Sequence, residues 1–245
     1  MEMDHKVVLV IPAYNEQANI GNVLRKIQEI NTDHWLDVVV IDDGSSDNTY
    51  GEALACKVTV IRQVYNMGYG AALQTGYKYA VEHGYEYLLQ MDADGQHDVR
   101  NLEWIYRELT AIQERQPDIV IGSRFLSASQ TYPVSKIRLV AIRMFRFVIR
   151  RLTGYTLTDP TSGLQGLNRR AFSCYASYSN FDIKYPDLNM ILQMLLRGYH
   201  ITEIPAIMHI RTEGIAMHSG AAHAVKYMIL MCLSTFNAFI RYKRK

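Results

Sequence analysis

Two aspartates, Asp92 and Asp94, follow an apolar run and stand directly before Gly95. Side chains on a strand alternate between its two faces, so acids two positions apart leave the strand end on the same side. Two carboxylates this close repel each other unless a cation lies between them. Mg²⁺ and Mn²⁺ suit such oxygen ligands and keep other positions for water and phosphate. The pair therefore predicts a divalent-metal site, and the alternative is an ordinary surface turn.

Strands and helices alternate along the first half of the chain. Apolar runs predict strands at residues 6–11, 38–41, 58–62, 88–91 and 118–122, and helical spacing predicts helices at 19–30, 71–82 and 102–112. This order predicts an α/β fold with a mostly parallel sheet covered on both faces. Polar residues follow every one of these strands: Tyr14, Asn15, Glu16, Asp42, Asp43, Asn66, Asp92, Asp94, Ser123 and Arg124. Open sheets of this kind bind ligands at that edge.

Composition excludes several classes of protein. With 245 residues, 49% of them hydrophobic, the chain can form one large globular domain or a domain with an appendage. A net charge of +2 argues against nucleic-acid binding through a general basic field. The three cysteines are too widely spaced for a disulfide framework or a structural zinc site, which favours a reducing compartment. The sequence also lacks a Walker loop and an early G-x-G-x-x-G, and the charged first residues do not resemble a secretory signal.

The ordered motifs resemble those of family 2 glycosyltransferases of the GT-A fold. They are V-I-P-A-Y-N-E at residues 10–16, I-D-D-G-S at 41–45, N-x-G-x-G at 66–70, D-A-D-G-Q-H at 92–97 and G-S-R at 122–124. Within the family, the chain looks like the polyprenyl-phosphate glycosyltransferases of the dolichol-phosphate mannose synthase type, from about residue 6 to 218. The resemblance implies a GT-A (Rossmann-like) domain at 1–215, with a nucleotide-sugar half (1–125) and an acceptor half (126–215). Residues 216–245 would form a loop and a membrane-associated or oligomerisation helix.

The resemblance also implies which residues form the site. Asp42 would read the base, and Asp94 and Asp159 match catalytic positions. The nucleotide-binding set would be Pro12, Ala13, Tyr14, Glu16, Asp42, Asn66, Asp92 and Arg211, the last closing over the donor diphosphate. Mg²⁺ or Mn²⁺ would be held by Asp92, Asp94 and Gln96, and the acceptor phosphate by Ser123, Arg124 and Arg138.

Residues 119–158 carry seven basic residues and no acid. On a helical wheel of residues 136–152, one side holds Lys136, Arg143, Arg146 and Arg150. The other side holds Ile137, Ala141, Met144, Phe145, Val148, Ile149 and Leu152, together with Arg138. This pattern predicts an interfacial helix facing anionic lipid, and the alternative is a surface helix with a solvated basic face.

Asp159 opens a D-P-T-S-G segment that resembles an acceptor-side motif of the family, where the commoner form has Phe-Arg at Leu164 and Gln165. This departure puts a phosphate role at that position in doubt. Asp159 could serve as a structural anchor or as a base. An alcohol acceptor needs a general base, whereas a phosphate monoester is already largely anionic at pH 7.

The C-terminal stretch at 227–240 is apolar around most of its circumference and is followed by a basic end. Fourteen helical residues span roughly 21 Å, less than the roughly 30 Å of a bilayer core. The stretch could lie in the membrane interface, re-enter the bilayer, or pack on a second copy or a small membrane protein. The alternative is a buried core helix.

The leading interpretation is a metal-dependent hexosyltransferase that moves a sugar from a UDP- or GDP-sugar to a polyprenyl phosphate at the cytoplasmic membrane face. The runner-up is a polysaccharide-elongating relative that acts on a sugar hydroxyl. A membrane-bound sugar-nucleotide sensor is the non-enzymatic alternative. The motifs leave the donor base and sugar open, and no nucleic-acid partner is expected.

Overall fold

The computed structural model describes residues 7–112, 114–131, 136–184, 186–210 and 221–243. Side chains at 136–138, 221–229, 232 and 243 lie outside that description. The strands are β1 Val7–Ala13, β2 Asp37–Asp42, β3 Thr59–Arg62, β4 Tyr87–Gln90, β5 Ile119–Ser123, β6 Gln165–Asn168 and β7 Ile201–Pro205. The helices are α1 Gln17–Ile30, α2 Thr49–Ala55, α3 Tyr69–Glu82, α4 Arg100–Thr110, α5 Lys136–Thr153, α6 Arg169–Ala176, α7 Leu188–Leu196 and α8 Ala221–Lys243, with a 3₁₀ turn at Tyr178–Asn180.

The strands form one sheet in the order β3-β2-β1-β4-β6-β5-β7. Neighbouring strands run parallel except at β6, which is antiparallel to both β4 and β5. The predicted α/β fold with a mostly parallel sheet is therefore confirmed. β6 was not predicted, because its four residues, Q-G-L-N, contain neither a β-branched run nor an apolar alternation. It inserts a strand of the second half of the chain between two strands of the first half.

Successive residues of the central strands point to opposite faces of the sheet, where they join two separate apolar clusters. On one face, Val8 and Val10 of β1 pack with Leu73 and Tyr77 of α3 and with Phe172 of α6. On the other face, strand and helix residues form a second cluster that includes Leu9, Ile11, Ile20, Leu24, Leu102 and Ile105. Helices on both faces let β1 be buried along its whole length, as its uninterrupted apolar sequence indicates.

Two short helices were not recognised in the sequence, and the chain after β7 pairs briefly with other segments. β7 ends at Pro205, and beyond it isolated bridges join Ile207 to Gln130 and Met208 to His97. α2 and α6 were not predicted as helices. They have seven and eight residues, too few for a strong helical period.

The apolar side of α5 is directed into the protein. Ala141, Phe145 and Ile149 are buried in the same cluster as α3 and α6. The prediction that this side of the helix faces lipid is therefore wrong for these three residues. An amphipathic pattern specifies an apolar partner without distinguishing a lipid surface from the protein's own core.

Helix α8 is longer than predicted and packs against α7. Met231 and Thr235 are buried, whereas Leu233, Phe236 and Ile240 are exposed. One face of α8 is therefore buried against the protein, and a second, apolar face is exposed. None of the helices that the structure describes combines the length and the hydropathy needed to cross a bilayer.

Gly166 of β6 gives the first testable prediction. A Cβ at this position would collide with Ile105 and Leu109 of α4, which pack directly on the strand. Gly166→Ala should therefore lower the free energy of unfolding by about 1–3 kcal/mol through overpacking, measured by urea denaturation. Gly21→Ala is the matched control, because its Cβ would meet chiefly the flexible end of Arg25, 3.3 Å away, in the interior of α1. Equal losses in both variants would contradict close packing at β6.

Candidate active site

The loops after β1 and β2 are fastened to each other. Ala13 lies opposite Asp42 in the strand register. The backbone N–H groups of Asn15 and Glu16 donate to Ser45 Oγ at 3.0 Å and Thr49 Oγ1 at 2.8 Å. These bonds hold the predicted nucleoside-binding segment that begins at Pro12, which is buried in β1. Tyr14 has 43% of its surface exposed, so its ring is open to a ligand.

The two acids that end β2 have different partners. Asp42 is fully buried, its Oδ1 accepts from the Ser45 N–H at 3.1 Å, and its Oδ2 lies 3.1 Å from Nε of Arg62. Asp43 accepts from the N–H groups of Met67 and Gly68, both at 2.8 Å. Burial raises the pKa of Asp43 even though these two donors favour its anion. Asp43 is thus an anchor for the loop before α3.

The loop anchored by Asp43 carries Asn66, another predicted nucleotide-binding residue. Asn66 is exposed. The loop crosses directly over Gly44, whose φ is +67° and whose Cβ would stand 2.6 Å from the carbonyl carbon of Tyr65. Only glycine tolerates both the positive φ and the close contact with the backbone of Tyr65. The close approach of the two loops therefore requires the glycine that follows the two aspartates.

Asp92 lies at the meeting point of three segments. Its Oδ1 accepts from the Tyr69 hydroxyl at 2.9 Å, and its Oδ2 lies 3.5 Å from Nε2 of His97. A Cβ at Gly163 would stand 2.6 Å from the same Oδ2, so the segment before β6 passes against this carboxylate. Burial alone would raise the pKa of Asp92, but the interactions with His97 and Tyr69 outweigh it and hold the pKa below its ordinary value. The carboxylate is charged, and 32% of its side chain is exposed.

Asp94 and Gln96 form the tip of the same loop. Asp94 Oδ1 accepts from the Gln96 N–H at 3.0 Å, and the Gln96 carbonyl accepts from the His209 N–H at 2.7 Å. Both side chains are half-buried. The bond to His209 places the described end of the segment after β7 beside this loop. Arg211, predicted to close over the diphosphate, lies outside the described residues.

The donor set at this edge fits a hard divalent cation, with two carboxylates and one amide oxygen among the predicted ligands. Mg²⁺ typically takes one or two carboxylates from a protein and completes its shell with water and substrate phosphates. Among the residues that the structure describes, no group of three or more His, Cys, Asp or Glu forms a closed metal cage. Asp92 and Asp94 would therefore leave most coordination positions of such an ion to water or to a phosphate ligand.

Asp159 is engaged in a buried ion pair. Arg124 donates to it from Nε at 2.6 Å, from Nη2 at 2.7 Å and from its backbone N–H at 3.0 Å. Both side chains are almost completely buried. The N–H groups of Thr158 and Asp159 in turn donate to the Glu203 carboxylate, both at 2.6 Å. Of the two roles considered for Asp159, these contacts support the structural anchor.

The predicted acceptor-phosphate residues are likewise occupied or not described. Ser123 Oγ is buried, 2.6 Å from Thr158 Oγ1, so contact of Ser123 or Arg124 with a ligand would require internal bonds to open. The side chain of Arg138 is outside the described set. Gln165, at the departure from the family motif, lies on β6 and donates to the Ser162 carbonyl. The phosphate roles of Ser123, Arg124 and Arg138 stay predictions.

Three residues that contact the site were not among the predicted site residues. Tyr69 and His97 contact Asp92, and Glu203 fixes the backbone at Asp159. His97 is part of a recognised motif, which could have drawn attention to it. Tyr69 stands at a variable position of the N-x-G-x-G motif and Glu203 lies outside the motifs, and both act through contacts distant in sequence.

Comparison with known proteins places the chain among glycosyltransferases. The model of the family Glycosyl transferase family 2 matches residues 8–176. The UDP-N-acetylglucosamine–dolichyl-phosphate N-acetylglucosaminyltransferase of Methanococcus voltae is 31% identical over 185 residues, covering 69% of this chain and 71% of that protein. The polyprenol monophosphomannose synthase of Mycolicibacterium smegmatis is 26% identical over 229 residues, covering 88% and 82%.

A solved structure shares the fold. Glucosyl-3-phosphoglycerate synthase from Mycobacterium tuberculosis in complex with UDP superimposes with a TM-score of 0.70 at 16% identity. The match covers 96% of this chain and 80% of that one. At this identity the likeness shows the fold alone.

The anchor role of Asp159 is directly testable. Asp159→Ala should lower the free energy of unfolding by about 3–5 kcal/mol, because it leaves the Arg124 guanidinium buried without its partner. Urea denaturation measures the loss. The double variant Arg124→Met/Asp159→Leu should recover much of it, since no unpaired charge then remains. A single variant that keeps full stability but loses activity would instead favour Asp159 as a base.

Proposed function

Because the chain belongs to glycosyl transferase family 2, we propose that it transfers a hexose-type sugar from a nucleoside diphosphate sugar to a polyprenyl phosphate. The family recognised from the motifs and its GT-A fold are confirmed. Relatives at 26–31% identity are named as transferases acting on dolichyl or polyprenyl phosphates, which supports this acceptor class. The observation that carries the proposal is the charged Asp92, held between Tyr69 on the donor side and Gly163 on the acceptor side.

The donor nucleotide would lie across the carboxyl ends of β1 and β2. Pro12, Ala13, Tyr14 and Glu16 belong to the segment that is bonded to the loop after β2, and Asp42 ends that strand. The exposed Tyr14 ring offers a stacking surface to a base. A nucleotide bound in this way would extend its diphosphate toward the loop of Asp92 and Asp94.

Asp92, Asp94 and the Gln96 amide would hold Mg²⁺ or Mn²⁺. When bound, such an ion neutralises negative charge that develops on a departing diphosphate. The residues of this chain contribute a fixed and ionised ligand, because Tyr69 orients Asp92 and His97 helps to keep it charged. Metal dependence in this chain is part of the proposal.

The acceptor chemistry favours a phosphate over a sugar hydroxyl. A hydroxyl must lose its proton during attack and therefore needs a general base. Asp159, the residue considered for that role, is committed to Arg124 by a bidentate pair. A phosphate monoester is already ionised and needs no such group. The occupied Asp159 thus fits polyprenyl phosphate better than the polysaccharide-elongating alternative.

A lipid acceptor requires contact with a membrane, and we propose the outer face of α5 for it. Val140, Met144 and Phe147 are exposed there, Val140 by 62% and Phe147 by 68%. The exposed Arg143 and Arg150 lie on the same face. We call these five residues the α5 stripe. Exposed apolar side chains interleaved with arginines suit the interface of an anionic lipid surface, and we place that surface at the cytoplasmic side of the cell membrane.

The central test is transfer itself. The purified chain should convert a radiolabelled UDP- or GDP-sugar and undecaprenyl phosphate into a product that is extracted into organic solvent. Chelation by EDTA should abolish transfer and added Mn²⁺ or Mg²⁺ should restore it. Asp94→Asn should lower the rate by about 100-fold or more, the size expected when transition-state charge loses its stabilisation.

The control for that variant is Asp33→Asn, at an exposed position before β2, which should keep wild-type activity. Nucleotide-sugar binding with no turnover on any acceptor would favour the sensor interpretation. A product that stays in the aqueous phase and forms only with an oligosaccharide acceptor would favour polysaccharide elongation.

The α5 stripe predicts binding to anionic vesicles. Val140→Ser/Phe147→Ser should weaken sedimentation with phosphatidylglycerol vesicles by about tenfold or more, because burial of each large apolar side chain is worth roughly 1.5–3 kcal/mol. Ile112→Ser is the control, since Ile112 is fully exposed after α4. Equal vesicle binding by the wild type, the double variant and Ile112→Ser would show that the α5 stripe does not contact the membrane.

A further inference from the structure

The segment that leads into α7 is held at both ends by one side chain. Asn189, in the first turn of α7, is only 3% exposed. Its Nδ2 donates to Asp182 Oδ2 at 2.9 Å, and its Oδ1 accepts from the Asp187 N–H at 3.0 Å. We call residues 182–184 and 186–187 the α7 loop. A single buried amide thus fixes where the α7 loop begins and where it ends.

Helix α8 supplies a second attachment for the α7 loop. Ser234 Oγ donates to Asp182 Oδ2 at 2.6 Å and accepts from Asn189 Nδ2 at 2.8 Å. Ser234, Asp182 and Asn189 therefore form a closed triangle of hydrogen bonds that joins α8, the α7 loop and α7. Hydrogen bonds to a carboxylate are stronger than those between neutral groups. The triangle is the polar attachment between α8 and this loop.

The α7 loop in turn lies against the first turn of α3. A Cβ at Gly70 would stand 2.3 Å from the carbonyl oxygen of Ile183, so the two backbones pass in close contact. Gly70 adjoins Tyr69, whose hydroxyl donates to Asp92 Oδ1 at 2.9 Å. Burial raises the pKa of Tyr69 most, and the Asp187 carboxylate is among the nearby charges that raise it further. Both ends of the α7 loop are therefore close to the Tyr69–Asp92 contact.

We infer that Ser234 of α8 is a positioning residue for the transfer reaction: through Asp182 it holds the α7 loop against α3 and so keeps Tyr69 on Asp92. The inference rests on the proposed function, because it concerns the carboxylate proposed to hold the divalent ion. Groups that orient a metal ligand affect metal binding although they do not touch the metal. The inference goes further by making α8, which carries none of the recognised motifs, a support of the active site.

The direct test is hydrogen exchange, measured by mass spectrometry on the wild type and on Ser234→Ala without added nucleotide or metal. The α7 loop of the variant should exchange about tenfold or more faster, because a hydrogen bond to a carboxylate is lost. The first turn of α3, at residues 69–72, should also exchange faster, whereas β1 and β2 should keep wild-type rates. Faster exchange confined to α8 and the α7 loop would overturn the inference.

Asn237→Ala is the matched control, since Asn237 is exposed on the same helix. It should exchange at wild-type rates in the α7 loop and in α3. An equal increase in both variants would show that α8 responds to substitution in general and that Ser234 has no special role.

The Mn²⁺ dependence of transfer gives the functional readout. In Ser234→Ala the Mn²⁺ concentration at half-maximal rate should rise about threefold or more, the size typical of changes along a set of coupled contacts. A purely structural role would lower the maximal rate through loss of folded protein and leave the half-saturating concentration unchanged. That second result would contradict a positioning role.

A double-variant cycle tests whether Ser234 acts through Asp182. Asp182→Asn removes the carboxylate to which Ser234 and Asn189 both donate, so it should raise the half-saturating Mn²⁺ concentration at least as much as Ser234→Ala. Because the two changes would break the same link, the double variant should be no worse than Asp182→Asn alone. Fully additive effects would show that Ser234 acts by another route. Should Asp182→Asn fail to fold, the exchange pattern of Ser234→Ala still decides.

The outcomes separate the two proposals. An active wild type together with unchanged exchange and Mn²⁺ dependence in Ser234→Ala would defeat the positioning role and leave the transferase function standing. Absence of transfer by the wild type with every nucleotide sugar would defeat the proposed function. The exchange pattern needs no substrate, so it would still decide the link between α8 and α3.

Discussion

The charge on Asp92 is the constraint on which the site depends. A partly buried carboxylate is expensive unless hydrogen bonds compensate for lost water. The Tyr69 hydroxyl, at the start of α3, and the His97 ring, in the loop after β4, supply that compensation. Gly163 comes from the other half of the chain, and its missing side chain leaves room for the carboxylate. One ionised group therefore fixes the relative positions of segments from both halves of the chain.

The antiparallel strand β6 makes this convergence possible. Since β6 runs between β4 and β5, the segment before it must pass over the end of β4, where Asp92 lies. The Arg124–Asp159 pair and the Glu203 carboxylate hold that segment from the opposite side. A buried ion pair is weak evidence for stability but can specify a unique arrangement. Here the pair fixes the path of the backbone that brings Gly163 to Asp92.

The sequence predicted the elements whose pattern is local and missed those defined by distant contacts. β1, β2 and β5 are rich in valine and isoleucine, so their apolar runs were sufficient to predict strands. β6 has no such density, and it is a strand because β4 and β5 flank it. α5 was recognised as an amphipathic helix, but what its apolar side packs against was not predicted. An apolar side of this kind suits either a lipid surface or the protein core. Motifs located Asp42, Asp92 and Asp94, whereas the role of Tyr69 depends on a contact 23 positions away.

The link between α8 and the site is also defined by contacts between residues distant in sequence. Ser234 of α8 donates to Asp182 at 2.6 Å, and Asn189 of α7 donates to both of them. The loop that Asp182 begins reaches α3, where a Cβ at Gly70 would collide with the Ile183 carbonyl. Gly70 adjoins Tyr69, so a continuous set of contacts joins the C-terminal helix to Asp92. Such a path transmits a signal only if one of its members has two stable arrangements. With a single arrangement the path supplies rigidity, and rigidity is what keeps the ionised Asp92 carboxylate in a fixed position.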